Sequence, residues 1–426
     1  VARPVKRPWW LLHVFGRVPP VEPRLIQLLG LVSLALFFES YDLSMGTSAL
    51  THIADDLGIA ERDLGGTLGL IRLGAVPAFV LAPLADRLGR RHVFLACIVG
   101  GSLLTCATAF VRTTAEFVAV QMLARTALVT GSVVAVVVVT EEFPAAFRGW
   151  AIGTMGALSA CGHGLGALLF AVIEHLPYRW RFLYLVGIVP LLLWSRFRAI
   201  RETQRFLDHG GSRDGGGWRG WLAPLVALAR THPSRAVAMG LVGLLFGAGE
   251  VAAFQFTSYH ALTAYGWSPA EYSAMVLAGG GVGIVGNVVA GRLGDRIGRR
   301  RVGATFLAIF PAFVALFYLG PAWVLPIAFA GFVFCDTAGG VIVRALSTEL
   351  FPTSHRGTSA GWVSLVVTLG WAMGLGLVGL GTEHAGDIAH LTSRLSCTVL
   401  AAGALLLVLP ETHRRELEAL SHEVER

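Results

Sequence analysis

The sequence predicts an all-α membrane protein with twelve transmembrane helices in two pseudo-symmetric six-helix bundles, and three observations predict it. The first is composition: of 426 residues, 54% are hydrophobic and 14% charged, against roughly a quarter charged in an ordinary soluble domain. The second is length, because a span of some 20 residues at about 1.5 Å each crosses the hydrocarbon core, and the chain has room for about twelve. The third is repetition. Leu84-Ala85-Asp86-Arg87-Leu88-Gly89-Arg90-Arg91 returns as Leu293-Gly294-Asp295-Arg296-Ile297-Gly298-Arg299-Arg300. Thr140-Glu141-Glu142-Phe143-Pro144, followed by Arg148-Gly149, returns as Thr348-Glu349-Leu350-Phe351-Pro352, followed by Arg356-Gly357. The two displacements agree to within one residue, so the chain holds two copies of one unit.

Apolar windows place spans near 24–48, 64–85, 92–111, 115–140, 147–173 and 181–198, then 235–262, 271–293, 302–320, 322–346, 355–380 and 389–410. The expected organisation is therefore an N-terminal segment 1–23, a six-helix bundle over 24–198, a linker over 199–234, a second bundle over 235–410 and a tail over 411–426. The net charge of +7 is almost wholly arginine, with Lys6 the only lysine. If the N-terminus is cytoplasmic, the opposite loops hold only Arg62, Arg112, Arg179, Arg181 and Arg394. Arg72, Arg125 and Arg344 lie inside spans, and all other basic residues fall on the cytoplasmic side. That asymmetry predicts both termini and both repeated loops on the cytoplasmic face of the cell (inner) membrane. It also accounts for the basic charge without a nucleic-acid partner.

The chain opens on Val1, and a trimmed start is expected. Arg3, Lys6 and Arg7 with Trp9, Trp10, Leu11 and Phe15 suit either an anionic membrane face or a disordered tail. In the linker, Trp221, Leu222, Leu225, Val226 and Leu228 predict a short amphipathic helix beyond glycine clusters. The five cysteines all fall in apolar runs without metal-ligand spacing and are expected as packing residues.

Four motifs in register carry a resemblance. The repeated Asp-Arg-x-Gly-Arg-Arg loop between second and third spans of each half resembles the signature loop of the major facilitator superfamily. The Glu-x-x-Pro-x-x-x-Arg-Gly stretches after spans four and ten resemble its second cytoplasmic signature. Arg201-Glu202-Thr203-Gln204-Arg205-Phe206-Leu207 and Pro410-Glu411-Thr412-His413 resemble the segments after spans six and twelve of the sugar-porter, metabolite-proton symporter and organic-ion branches. Two positions depart: Ala82 replaces the usual first glycine of the loop, and Arg201 stands where proline is usual. The resemblance implies a conformational latch that holds the halves in an outward-facing state. Its residues would be Asp86, Arg87, Arg90, Asp295, Arg296, Arg299, Glu142, Arg148, Glu349 and Arg356, with simple topogenic charge as the plainer role.

Ionisable residues inside spans are costly, about 2.5–3.5 kcal/mol on insertion scales, and so mark candidate sites. Glu39 and Asp42 stand three apart on one face of the first span, at depths compatible with Arg72 and Arg125. The expectation is that Asp42 or Glu39 pairs with Arg125 or Arg72 in one state and takes a proton in another; the alternative is a permanent salt bridge that fixes helix register. Moved forward by the repeat displacement, Asp42 lands on Glu250, so Asp42, Glu39, Arg125 and Glu250 are the proton-coupling candidates. The expected solute site draws on Arg125, Tyr41, Glu250, Gln255, Tyr259, Asn287, Asp336 and Trp362, with Trp371 and His260 nearby. For Asp336 with Arg344, and for His163, a structural role is the simpler expectation.

Other motifs are excluded. Gly281 to Gly286 and Gly374 to Gly379 match a dinucleotide pattern inside apolar spans with no preceding strand, and Gly357 to Gly361 matches a hydrolase elbow at the start of a span. No phosphate loop or zinc-binding His-Glu-x-x-His occurs, so no cofactor is expected and an enzyme lacks a nucleophile, base or metal set. The expectation is a monomeric secondary transporter working by alternating access, with partners limited to protons, a small organic solute and the lipid bilayer. Proton-coupled uptake of an organic anion or metabolite comes first. Efflux of cationic or amphipathic compounds, or a sensor that moves nothing, are the alternatives.

Overall fold

A computed structural model of the chain describes residues 18–209, 226–351, 356–384 and 386–412. The expected amphipathic segments at Arg3 to Phe15 and at Trp221 to Leu225, and most of the tail with His413, lie outside the described residues. The helices are α1 (Pro23–Ser48), α2 (Leu50–Leu57), α3 (Glu61–Leu73), α4 (Ala78–Leu81), α5 (Ala85–Leu88), α6 (Arg90–Thr108), α7 (Thr114–Glu142), α8 (Ala145–Ala171), α9 (Trp180–Leu185), α10 (Val189–Leu192), α11 (Trp194–Arg198) and α12 (Gln204–His209). After the linker come α13 (Pro233–Gln255), α14 (Thr257–Tyr265), α15 (Pro269–Ile297), α16 (Arg299–Leu319), α17 (Leu325–Glu349), α18 (Arg356–Gly381) and α19 (Asp387–Val408).

Among the described residues, eleven segments are long and apolar enough to cross a membrane. Each lies within a few residues of an expected span. The twelfth, expected over 181–198, is a shorter apolar helix over Trp180–Leu192. Its 3-10 turn at Val186–Ile188 and Pro190 at the start of α10 interrupt the hydrogen-bond ladder. Local chemistry sets the ends elsewhere. Thr113 caps α7 by accepting from Glu116 N at 3.2 Å, and Ser268 with Glu271 forms a full capping box on α15. At both repeated loops glycine is required: Gly89 and Gly298 have φ of +96° and +113°, and a Cβ there would also strike Glu202 or Glu411.

The described chain forms two compact units. The first takes in Pro77–Leu169, the chain before Thr47, and the chain from Glu174 to the linker. The second takes in Thr47–Val76, Phe170–Ile173 and the chain beyond the linker. In the first unit, α6 packs along α7, and α1 is seated on α8 where Gly162 meets the backbone of Phe37. Ser40 Oγ and Ser159 Oγ share a bond of 2.6 Å at the same seam. Val32, Phe94, Val134, Val138 and Phe197 belong to its apolar core.

In the second unit α13 packs on α18 and α19, α16 on α17 and α19, and α15 on α17. Phe254, Phe317, Phe329 and Phe332 interlock in mostly edge-to-face pairs, with Phe254 and Phe332 centroids 5.0 Å apart. This unit also holds α2 and α3 from the N-terminal half of the sequence. Gly65 of α3 lies against the backbone of Leu375 and Gly379 in α18, with no room for a Cβ. Ser258 Oγ donates to Ser48 O at 2.6 Å, and Phe170 packs edge-on against both His52 and Tyr272.

Candidate functional site

In the first unit, the seam between α1 and α8 directs the face of α1 that carries Glu39 and Asp42. Arg125 comes from α7. Its Nη2 stands 3.8 Å from Glu39 Oε1, and the residue is 2% exposed. Arg125 Nε and Nη1 are buried and find no hydrogen-bond acceptor among the described residues. A guanidinium carries five donors in a rigid fork, and a buried charge with donors unspent is costly unless a further anion meets it. Asp42 is 4% exposed and lies within electrostatic reach of Tyr184 on α9. Tyr41 is fully buried, and its hydroxyl donates to Leu183 O at 2.6 Å. It fastens α1 to α9. The carbonyl of His163 accepts from Ser44 Oγ at 3.1 Å.

The second unit builds a different cluster. Trp371 on α18 donates its indole N–H to Glu250 Oε2 on α13 at 3.0 Å. Arg72 on α3 sits over the Trp371 ring, 5.5 Å from its centroid, and donates from Nη2 to Gln255 Oε1 at 2.7 Å. Of the arginines expected to meet Glu39 or Asp42, Arg125 stands beside Glu39, while Arg72 contacts the Gln255 amide and the Trp371 ring. Asp336 and Arg344 of α17 lie within electrostatic reach of Glu250, and Asp336 Oδ1 has no hydrogen-bond partner among the described residues. Other expected solute residues stand apart. Trp362 donates to Ala236 O at 3.1 Å, Tyr259 lies within electrostatic reach of Glu61, and His260 packs among Tyr265, Phe317 and Tyr318. Asn287 is exposed on α15 beside exposed Ile284 and Val288.

The repeated loops form two near-copies of one ion-pair cluster. In the first unit, Arg90 Nη2 pairs with Asp86 Oδ1 at 3.0 Å and Glu141 Oε1 at 2.9 Å. Thr203 Oγ1 donates to Glu141 Oε2 at 2.8 Å, and Arg91 N donates to both Glu202 oxygens at 3.2 Å. In the second, Arg299 pairs with Asp295 at 3.4 Å and with Glu349, Thr412 Oγ1 donates to Glu349 Oε2 at 2.8 Å, and Arg299 N donates to Glu411 Oε1 at 2.9 Å.

The acid at the heart of the first cluster is Glu141. Glu142 instead accepts from Gln204 N at 3.0 Å and faces Arg24 at 3.6 Å. The repeat alignment, which sets Glu141 on Glu349 and Glu142 on Leu350, carries that signal. Glu202, Thr203, Glu411 and Thr412 are visible in the sequence as motif residues, but their partners are not. Arg148 Nη2 reaches Phe143 O at 3.5 Å, Arg87 and Arg296 are exposed, and the side chain of Arg356 lies outside the described residues.

Comparison with known proteins fits this architecture. The chain matches the Major Facilitator Superfamily over residues 32–375 and 239–424. It is 27% identical over 376 residues to a gallate transporter of Pseudomonas putida, covering 79% of this chain and 81% of the relative. It is 25% identical over 406 residues to the 3-(3-hydroxy-phenyl)propionate transporter of Escherichia coli, covering 92% and 96%. Among solved structures, the inward open conformation of the xylose transporter XylE from E. coli aligns with a TM-score of 0.73 at 17% identity, covering 94% of this chain and 99% of that one. The D-xylose-proton symporter aligns at 0.74 and 15%, covering 91% and 98%. A duplicated, multi-pass helical chain with paired signature loops and this match over most of its length belongs to the major facilitator superfamily, a family of membrane solute transporters rather than enzymes.

Proposed function

We propose that the protein is a proton-coupled carrier for uptake of a small organic anion, with an aromatic carboxylate as the substrate class. The observation that carries this reading is Arg125, buried at 2% exposure with two guanidinium nitrogens that have no acceptor among the described residues. A planar carboxylate meets a guanidinium bidentately along an edge that includes Nη2, so it would take one of the open nitrogens and displace Glu39 from Nη2, which a sugar hydroxyl or a cation does not do. The relatives named above move gallate and 3-(3-hydroxy-phenyl)propionate, and another, 25% identical over 81% of this chain, is a gentisate transporter of Corynebacterium glutamicum; all three are named for aromatic acids. Cation efflux draws less support, because Glu250 and Asp336 face Arg72 and Arg344 and leave no net negative charge in that cluster.

In this reading the two halves of the sequence rock about a central solute site, with both termini cytoplasmic in the cell membrane. Substrate carboxylate engages Arg125 while Glu39 or Asp42, released from the guanidinium, takes a proton. The charge carried inward is then compensated, and the empty carrier resets when the acid pairs with Arg125 again. The loop clusters at Arg90 and Arg299 serve as latches between conformations.

Uptake of labelled gallate, gentisate or 3-(3-hydroxy-phenyl)propionate into proteoliposomes tests this, with and without an inwardly directed proton gradient. Accumulation of at least one acid above equilibrium only when the gradient is imposed is expected. Replacement of Arg125 by Ala is expected to lower uptake about 100-fold, equivalent to about 2.7 kcal/mol of lost charge-assisted bonding. Flux indifferent to the gradient, or undiminished in Arg125→Ala, contradicts the proposal.

A further inference from the structure

The second span is divided by its own sequence. α3 ends at Leu73, a turn runs from Gly74 to Pro77, and α4 begins at Ala78. α3 is then held inside the second unit by two devices: the close backbone approach of Gly65 to Leu375 and Gly379, and, just before the turn, Arg72 on the Gln255 amide and the Trp371 ring. The second device has an unusual wiring. One indole touches a cation with its face and a carboxylate with its N–H edge.

The two contacts reinforce each other. An N–H that donates to an anionic oxygen leaves more electron density on the ring, and a richer ring face attracts a guanidinium more strongly. A neutral carboxyl is the weaker acceptor and returns less. The charged groups that face Glu250 are Arg72 from α3 and Asp336 and Arg344 from α17. α18 contributes Trp371, and α19 packs behind α13 through Thr398 Oγ1 on Leu245 O at 2.8 Å. Loss of the Glu250 charge therefore also removes a direct attraction for Arg72.

We propose that Trp371 is a relay through which the charge of Glu250 sets how tightly α3 is held on α13 and α18. With Glu250 ionised, Arg72 stays clamped between the Gln255 amide and the indole. With a proton on Glu250 the clamp loosens and α3 swings at the Gly74–Pro77 turn. Trp371 and Arg72 are positioning residues in this scheme. They need touch neither solute nor transferred proton. Its use in transport, as an outer gate answering to protons, rests on the carrier reading above; the relay itself does not.

Spin labels at Arg62→Cys on α3 and Glu383→Cys beyond α18, in full-length protein whose five native cysteines are replaced, measure the clamp by pulsed dipolar spectroscopy. Both positions are exposed. The background protein is expected to show one short distance at high pH and a growing longer population as the pH is lowered. Glu250→Gln is expected to show the longer population at every pH with the pH response lost, and Trp371→Phe, which keeps the ring face but loses the N–H, is expected to show more of the longer population than the background with a diminished pH response from the direct attraction that remains. A Glu250→Gln protein that responds to pH like the background, or a Trp371→Phe protein with the background distances, overturns the relay. Should Trp371→Phe fail to fold, Glu250→Gln decides alone. The readout needs no solute and no flux, so an intact pH response in a protein without gradient-driven uptake sinks the carrier reading and leaves the relay standing.

Discussion

Two arginines that lie inside apolar spans, Arg125 and Arg72, are treated in opposite ways. Arg72 is spent: its guanidinium holds the Gln255 amide and covers the Trp371 ring. Arg125 is more deeply buried, yet two of its nitrogens reach no acceptor among the described residues, and its ion-pair partner Glu39 stands 3.8 Å away. The first is arranged as a fastening and the second as a site kept open. A buried cation with unspent donors is a cost to the folded chain, and chains retain such costs where a ligand later supplies the missing acceptor.

The contrast is sharpest when each arginine is replaced by methionine, which keeps most of the apolar stem and removes the charge. Arg125→Met combined with Glu39→Gln, which removes both members of the pair, is expected to leave the thermal stability of the purified protein unchanged or to raise it by about 1–4 kcal/mol, because no buried charge is left without its partner. Arg72→Met is expected to destabilise by about 1–3 kcal/mol, since a charge-assisted hydrogen bond and a cation–π contact are lost. Equal losses in the two variants would break the comparison.

A smaller effect separates acids within the loop clusters. Glu141 is 8% exposed at its side chain and Asp86 57%, although both pair with Arg90. Double-mutant cycles are expected to give about 1–3 kcal/mol of coupling for Arg90 with Glu141, and less than about 1 kcal/mol for Arg90 with Asp86, which water screens. The same cycles on Arg299 with Glu349 and Asp295 should reproduce that ranking. A reversed ranking in either copy would show that the repeat does not carry its energetics with it.

Much of this is legible in the chain. Apolar runs and the duplicated loops place the spans, because a membrane leaves helical segments little freedom in length and burial. The repeat alignment even holds the correct acid, setting Glu141 rather than Glu142 opposite Glu349. What composition does not encode is pairing across space. Arg72 has the depth to meet several carboxylates, and nothing in its neighbours along the chain selects an amide and an indole instead. The break of the sixth span needs the interplay of Pro190 with a 3-10 turn, and the assignment of α3 to the second unit depends on Gly65 meeting Gly379 from the far half of the sequence. Hydropathy is blind to both.

The central claim is that Arg125 waits for a carboxylate. Thermal unfolding of the purified protein with an aromatic acid and with its neutral primary amide tests it most directly, in the wild type and in Arg125→Met. The acid is expected to raise the unfolding temperature of the wild type, the amide is not, and Arg125→Met is expected to answer to neither. Stabilisation by the amide equal to that by the acid, or a full response to the acid in Arg125→Met, would contradict it.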